Sequence, residues 1–305
     1  MLKTFLSLLL VSSLGVNTPI NDNKLNINSS SQKKIKSKNW NASILLEVAP
    51  YPKKKETKEL PSMEARSAIS VDLDSGAILF EKNKTEKLPI ASITKLMTAI
   101  IIAEEESLSN TVTVSSEAAR TLGSKIWINS GEIFLVRDLL KAILIHSAND
   151  AAYALAEHHS GTEKKFIEKM NNKAIILGLK DTHFTNAVGF DQEGNYSTAQ
   201  DLSLLAIYAY KNPIIREYAS MGKTIITSQD GKTTHELIPT NQILGGEFKI
   251  VGLKTGNTEQ AGPSLIAIAL GPQKTHPVLS IILNSPNRFE ETKKILSWTY
   301  DSYLW

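Results

Sequence analysis

Apolar residues along the chain follow two rhythms, and the changes between them outline its elements. Ala68–Leu73 and Ala77–Glu81 are apolar runs of strand length, and the Asp74-Ser75-Gly76 between them predicts a hairpin turn. At Ser92 the text becomes helical, running Ser-Ile-Thr-Lys-Leu-Met-Thr-Ala-Ile-Ile-Ile-Ala-Glu-Glu-Glu with the serine at its start. Helical spacing recurs at Val136–His146, Asp150–His159, Lys164–Leu177 and Thr198–Tyr210. Strand-like runs return at Lys249–Leu253, Ser264–Leu270 and Pro277–Leu283, and a last helix is predicted over Phe289–Tyr303. Strands near both ends with helices between them predict one mixed sheet completed by N- and C-terminal segments, plus a helical lobe.

Ahead of Met63 these rhythms fail. Lys3 precedes an apolar run from Phe5 to Val16, broken only by Ser7, Ser12, Ser13 and Gly15. A positive start and an apolar core of about 12 residues fit a secretory signal, and fall short of the ~20 that a spanning helix needs. Export is the favoured reading, since nothing in the following residues could cover such a segment; the rivals are an uncleaved N-terminal anchor and a buried apolar N-terminus. Residues 17–42 are Asn, Ser and Lys with few apolar side chains, which cannot offset the entropy of ordering. After an apolar patch at Ile44–Val48, the run Tyr51-Pro-Lys-Lys-Lys-Glu-Thr-Lys-Glu-Leu-Pro continues in the same vein. The expected organisation is a signal or anchor over 1–17, a disordered stem over 18–61 and a catalytic body over 62–305.

Charge sharpens that division. The whole chain carries +3, yet residues 17–58 hold nine Lys against Asp22, Glu47 and Glu56, and Lys3 adds one more, which leaves residues 59–305 at −4. A mildly acidic body argues against nucleic-acid binding, which needs clustered cations to displace counterions from phosphates. The basic stem reads as a solvated run, or as a segment through which residues 1–60 could touch an anionic envelope polymer or lipid. With 305 residues, 42% of them hydrophobic, the body is large enough for a real core. The absence of Cys excludes disulfides, thiolate metal sites, a cysteine nucleophile and a lipid-modified N-terminal cysteine.

Several signatures fail on inspection. Ser220-Met-Gly-Lys-Thr224 imitates the end of a phosphate loop, but Glu217 stands where its upstream Gly is required. His235-Glu236 is followed by Pro239 where a zinc helix needs its second His. No Gly-x-Ser-x-Gly elbow exists. His158 and His159 would point about 100° apart on a helix and are better read as surface residues at a helix end.

What remains is Ser92-x-x-Lys95. A serine hydroxyl needs a base within hydrogen-bond reach, and positions i and i+3 share a helix face. A lysine serves as base only where desolvation or nearby positive charge lowers its pKa. The pattern alone is cheap: Ser30-x-x-Lys33, Ser31-x-x-Lys34 and Ser220-x-x-Lys223 also match it, and Ser92 could simply cap its helix. Two further elements add weight. Ser147-Ala148-Asn149 stands at the join of two helical patterns, where a hydroxyl could relay a proton and an amide could hold a substrate carbonyl; a capping turn is the plain alternative. Phe248-Lys-Ile-Val-Gly-Leu-Lys254-Thr255-Gly256-Asn257-Thr258 is an apolar strand ending in Lys-Thr-Gly, a tripeptide that occurs once. A cation and a hydroxyl on a strand edge can hold a carboxylate while the backbone pairs with an extended peptide, and Lys254 would help depress the pKa of Lys95.

In this order the three elements resemble the penicillin-recognising serine acyltransferases, and within them the D-alanyl-D-alanine carboxypeptidases of serine peptidase family S11. Leu88-Pro-Ile-Ala-Ser-Ile-Thr-Lys-Leu-Met-Thr, Ser147-Ala-Asn-Asp-Ala-Ala, Met170-Asn-Asn-Lys-Ala, Leu177-Gly-Leu and Thr182-His-Phe-Thr-Asn carry the likeness. So do Tyr196-Ser-Thr-Ala-Gln-Asp-Leu, Thr240-Asn-Gln-Ile-Leu, Gly252-Leu-Lys-Thr-Gly-Asn-Thr and Leu296-Ser-Trp, so that it extends over residues 63–303.

The resemblance implies an α+β fold of the penicillin-binding-protein and β-lactamase kind, mainly an antiparallel sheet flanked by helices plus a helical lobe. It implies that Ser92 is acylated by the penultimate D-Ala carbonyl of a peptidoglycan stem peptide, with Lys95 as base and Ser147 and Asn149 relaying protons and holding the substrate amide. Lys254, Thr255, Gly256, Asn257, Thr258 and Arg288 would bind substrate, with Lys254, Thr255 and Arg288 near the terminal carboxylate. The N–H groups of Ser92 and Asn257 would form the oxyanion hole. β-Lactams would be covalent inhibitors, and no metal or organic cofactor is called for. Ala148 departs from the family's usual Gly, and Asn257 stands where some members have His. The same fold could instead host a D,D-endopeptidase, a β-lactamase or a non-catalytic envelope-binding protein. Against the β-lactamase stands the lack of any carboxylate between Thr182 and Gly189 to activate a deacylating water.

Overall fold

Continuous apolar segments need cover on both faces, and the chain answers with a sheet sandwiched between helices. The computed structural model describes residues 51–55, 59–271 and 276–305, all within the unit Glu47–Trp305; the leader, the patch at Ile44–Val48 and most of the stem lie outside these residues. In chain order the elements begin with β1 (Lys53–Lys54), β2 (Ser67–Asp72) and β3 (Ile78–Lys82). A 3₁₀ turn over Ala91–Thr94 leads into α1 (Lys95–Glu105), followed by β4 (Thr111–Thr113), α2 (Ser116–Arg120) and β5 (Ile133–Leu135). Next come α3 (Val136–Lys141), a π-helical turn over Ala142–His146, α4 (Asn149–Ser160) and α5 (Glu163–Ile176). Then follow α6 (Ala199–Lys211), α7 (Pro213–Ala219), β6 (Thr224–Thr227) and β7 (Thr234–Leu237). The chain closes with β8 (Ile250–Gly256), β9 (Ser264–Ala269), β10 (Val278–Leu283), α8 (Arg288–Ser302) and β11 (Tyr303–Leu304).

The main sheet runs β3-β2-β10-β9-β8, and every neighbouring pair is antiparallel. The apolar pattern alone suggested a mixed sheet, but it has no parallel pair, in keeping with the mainly antiparallel sheet that the family resemblance implied. Alternation along each strand sorts its side chains between two cores. Ile69, Val71, Ile266, Ile268, Leu279, Ile281 and Leu283 join the larger core under the helical lobe. Ala68, Leu265, Ala267, Val278 and Ile282 face the other way, against Ile295, Leu296 and Trp298 of α8. Double-sided burial is why these strands read as unbroken apolar runs. For the same reason α1 lacks an amphipathic stripe: Lys95 through Ile102 are buried on every side.

Polar residues set the helix boundaries. Thr162 and Thr198 accept from the N–H groups of Lys165 and Asp201, and Asn212 caps α7 with Pro213 at its first position. The sequence reading missed α2, α7, the strand pair β4–β5 and the hairpin β6–β7, whose strands of three or four residues are too short to show a period. β1 lies inside the segment assigned to the stem by composition, yet it pairs with β11, and the Trp298 indole donates to the Glu59 carbonyl at 2.7 Å. The C-terminal aromatics Trp298, Tyr303 and Trp305 supply the surface that the basic segment lacks. Among the described residues no helix is long and apolar enough to cross a membrane.

Candidate active site

The start of α1, the α3–α4 junction and the end of β8 meet at the free edge of the sheet. Ser92 lies in the 3₁₀ turn and makes no capping hydrogen bond; the cap position belongs to Ile90. The plain reading of this serine as a helix cap is thereby excluded. One turn on, the Lys95 amine donates to Ser92 Oγ at 2.8 Å and to the Val188 carbonyl at 2.6 Å. Lys95 has no solvent exposure, whereas Ser92 is partly open. Burial, and next the charge of Lys254, hold the Lys95 pKa well below the ordinary lysine value, while the Asp150 carboxylate pulls it upward.

The second wall is formed where the π-helical turn ends. Ser147 takes a left-handed conformation, with φ 64° and ψ 32°, which breaks the helix and presents its hydroxyl to β8. The buried Lys254 amine donates to Ser147 Oγ at 2.7 Å and to the Thr255 carbonyl at 3.0 Å. Burial, and then the positive charge of Arg288, lower the Lys254 pKa to about 7. Asn149 opens α4, and its Nδ2 donates to the Leu122 carbonyl at 2.6 Å, while its buried Oδ1 has no partner. An unsatisfied buried amide oxygen is costly, so Oδ1 is poised to accept from a visiting N–H group.

The third wall is the strand end itself. Thr255 Oγ1 donates to Thr240 Oγ1 at 2.7 Å, and Arg288 Nη1 donates to the Gly256 carbonyl at 3.0 Å. Gly256 is required by close approach, because a Cβ there would lie 2.9 Å from the Ile90 carbonyl oxygen and 3.2 Å from Ala91 Cβ. Asn257 is exposed at the following turn. The Thr258 hydroxyl is bonded to Asp191 Oδ1 at 2.5 Å, so it fixes the turn. Beyond these residues a cavity of about 390 Å³ is lined in part by Asn257, Arg288, Gln242 and Lys293.

The structure thus gathers all ten expected residues at one seam and adds several that sequence reasoning did not assign. Val188 supplies the carbonyl on Lys95. Thr240 partners Thr255. Asp150 accepts from the N–H groups of Ile126 and Ile128 and so secures the segment that carries Leu122. The Thr182–Gly189 segment has no acid of its own after Asp181, but Glu163 reaches it from α5 and accepts from Ala187 N at 3.0 Å. Thr240 and Asp150 stand inside family-like stretches, and that is the only signal in the sequence for them.

Comparison with known proteins agrees with this geometry. The family model described as D-alanyl-D-alanine carboxypeptidase, Peptidase S11, matches residues 54–287. The D-alanyl-D-alanine carboxypeptidase DacF of Bacillus subtilis is 35% identical over 255 residues, covering 82% of this chain and 65% of that protein. DacC of Escherichia coli is 35% identical over 260 residues, covering 80% of this chain and 63% of that protein. The chain therefore spans a little under two thirds of the length of these relatives. Among solved structures, the Streptomyces K15 DD-transpeptidase superposes with a TM-score of 0.75 at 27% identity, covering 80% of this chain and the whole of that one.

Proposed function

The chain belongs to the Peptidase S11 family of D-alanyl-D-alanine carboxypeptidases, and on that premise we propose that it is an exported serine carboxypeptidase that removes the terminal D-Ala from peptidoglycan stem peptides. The observation that carries this reading is the buried Lys95 amine, 2.8 Å from a partly exposed serine hydroxyl. Neutral Lys95 takes the Ser92 proton as Oγ attacks the penultimate D-Ala carbonyl. The N–H groups of Ser92 and Asn257 hold the oxyanion, and Asn149 Oδ1 accepts from the donor peptide. Thr255 and Arg288 meet the terminal carboxylate. Ser147, bonded to Lys254, relays to the departing amine the proton that Lys95 took from Ser92, which returns Lys95 to its neutral form, and water then hydrolyses the acyl-enzyme. Export rests on the leader of residues 1–16 alone.

Intact-mass measurement after brief penicillin exposure tests the reading directly. The full chain is expected to gain one penicillin mass and the Ser92→Ala variant none; labelling that persists in the variant removes Ser92 as nucleophile. A second reading, D,D-endopeptidase action on cross-linked peptides, is favoured by the cavity beyond Arg288, which offers more room than a departing alanine fills. Both reactions attack the same carbonyl, and relative rates on a pentapeptide and a cross-linked dimer separate them.

A further inference from the structure

We infer that Asn186 is a positioning residue for the proton acceptor: its side-chain amide shapes the loop that aims the Val188 carbonyl at the Lys95 amine. The inference rests on the reading of Lys95 as base. Asn186 is only 5% exposed, and its Oδ1 accepts from three successive N–H groups, of Val188 at 3.2 Å, Gly189 at 2.6 Å and Phe190 at 3.0 Å. Its Nδ2 donates to the Phe190 carbonyl and to Gln192 Oε1, so the side chain closes the loop on itself. With those N–H groups turned inward, the Val188 carbonyl faces the opposite way, into α1.

The loop is pressed against the nucleophile's own turn. A Cβ at Gly189 would lie 2.0 Å from the Ala91 carbonyl oxygen and 2.9 Å from Ser92 N, and its φ of +88° also demands glycine. Thr98 Oγ1 donates to the Ala187 carbonyl at 2.8 Å, which adds a second tie to α1. The Val188 carbonyl holds one hydrogen of the amine and so limits how it can turn, which keeps the nitrogen 2.8 Å from the Ser92 hydroxyl, where the neutral amine can offer its lone pair. The loop also seals Lys95 from water. The charged and titratable groups that bear on this arrangement are Lys254 of β8, Asp150 of α4 and Glu163 of α5, whose carboxylate accepts from Ala187 N.

Loss of the Asn186 amide should therefore do two things at once. Misdirection of the lone pair should slow acylation by about tenfold to hundredfold, the scale on which small misplacements act. Entry of water should return the Lys95 pKa towards the ordinary lysine value, because burial is the main cause of its depression.

The test compares the full chain with Asn186→Ala, Asn186→Asp and Asn171→Ala, following Ser92 acylation by a fluorescent penicillin as a function of pH. Asn171 holds the neighbouring Phe184 backbone from α5 and does not touch Val188, so it controls for simple loosening of the segment. Support consists of slower acylation in Asn186→Ala with its acid limb moved to higher pH, partial recovery in Asn186→Asp, which keeps the accepting oxygen, and an unmoved limb in Asn171→Ala. An unshifted limb in Asn186→Ala, or an equal shift in Asn171→Ala, overturns the inference. If the parent chain itself is not acylated, the reading of Lys95 as base fails and the inference falls with it, an outcome visible before any variant is examined.

Discussion

The centre of the sheet and its open edge obey opposite rules. In β10 each residue from Val278 to Leu283 is buried, and Ile281 and Ile282 separate cleanly into the two cores. Its five apolar residues suit local preference and burial together, and Ser280, whose buried hydroxyl has no partner, is the one exception in the strand. At the edge the chain buries two lysines, twists Ser147 into a left-handed conformation and leaves Asn149 Oδ1 without a partner. Buried amines and unpartnered amides cost stability, and such conflicts gather where chemistry needs prepared groups. The contrast teaches that stability resides in the middle of the sheet and reactivity at its rim, with β8 and β9 joining the two.

Three substitutions or conditions bear on that contrast. Lys95→Met carries the largest expected effect: acylation should fall by about 10²–10⁴-fold, the usual contribution of a positioned base. Thermal stability should rise in the same variant, because a desolvated amine is replaced by an apolar chain of similar length. A fall in melting temperature would break the proposed opposition between the regions. Ile281→Ala tests the other side, with an expected loss of about 2–5 kcal/mol in denaturant unfolding and an acylation rate within a few-fold of the parent well below the melting point.

Stability as a function of pH gives the smallest and finest test. The folded pKa of Lys254 is about 7, whereas an ordinary lysine titrates at 10.5, so above neutrality the unfolded chain binds a proton that the folded chain does not. Stability should rise between about pH 7 and about pH 9 for that reason, and Lys254→Met should lessen the slope, with the depressed Lys95 supplying the remainder. A parent chain whose unfolding free energy is level across that interval would show that Lys254 is charged in the folded protein.

The sheet centre was legible because its signal is local: Ala68–Leu73 and Pro277–Leu283 declare themselves by apolar content, and the observed Ser67–Asp72 and Val278–Leu283 are nowhere more than a residue away. Ser92, Lys95 and Lys254 were legible for a different reason, as a motif whose parts have fixed chemical tasks. The parity of the sheet came through the family motifs and not through the apolar pattern, since no run of apolar residues states the direction of its neighbour. Val188, which meets Lys95 through its backbone, and Asn186, whose contacts form only once the loop is folded, were not legible. The π-helical turn before Ser147 escaped as well, because Ala-Ile-Leu-Ile-His has the spacing of any buried helix.

The short pair β1–β11 brings the first described residues alongside the last. A pull entering through Tyr51 would first load this two-residue clasp, the Lys55 contacts to Asp301 and Ser302, and the Trp298–Glu59 contact, peeling them like the end of a tape. The clasp is thus the first part of the described fold to take a load arriving from that side, ahead of α8 and the sheet that it covers.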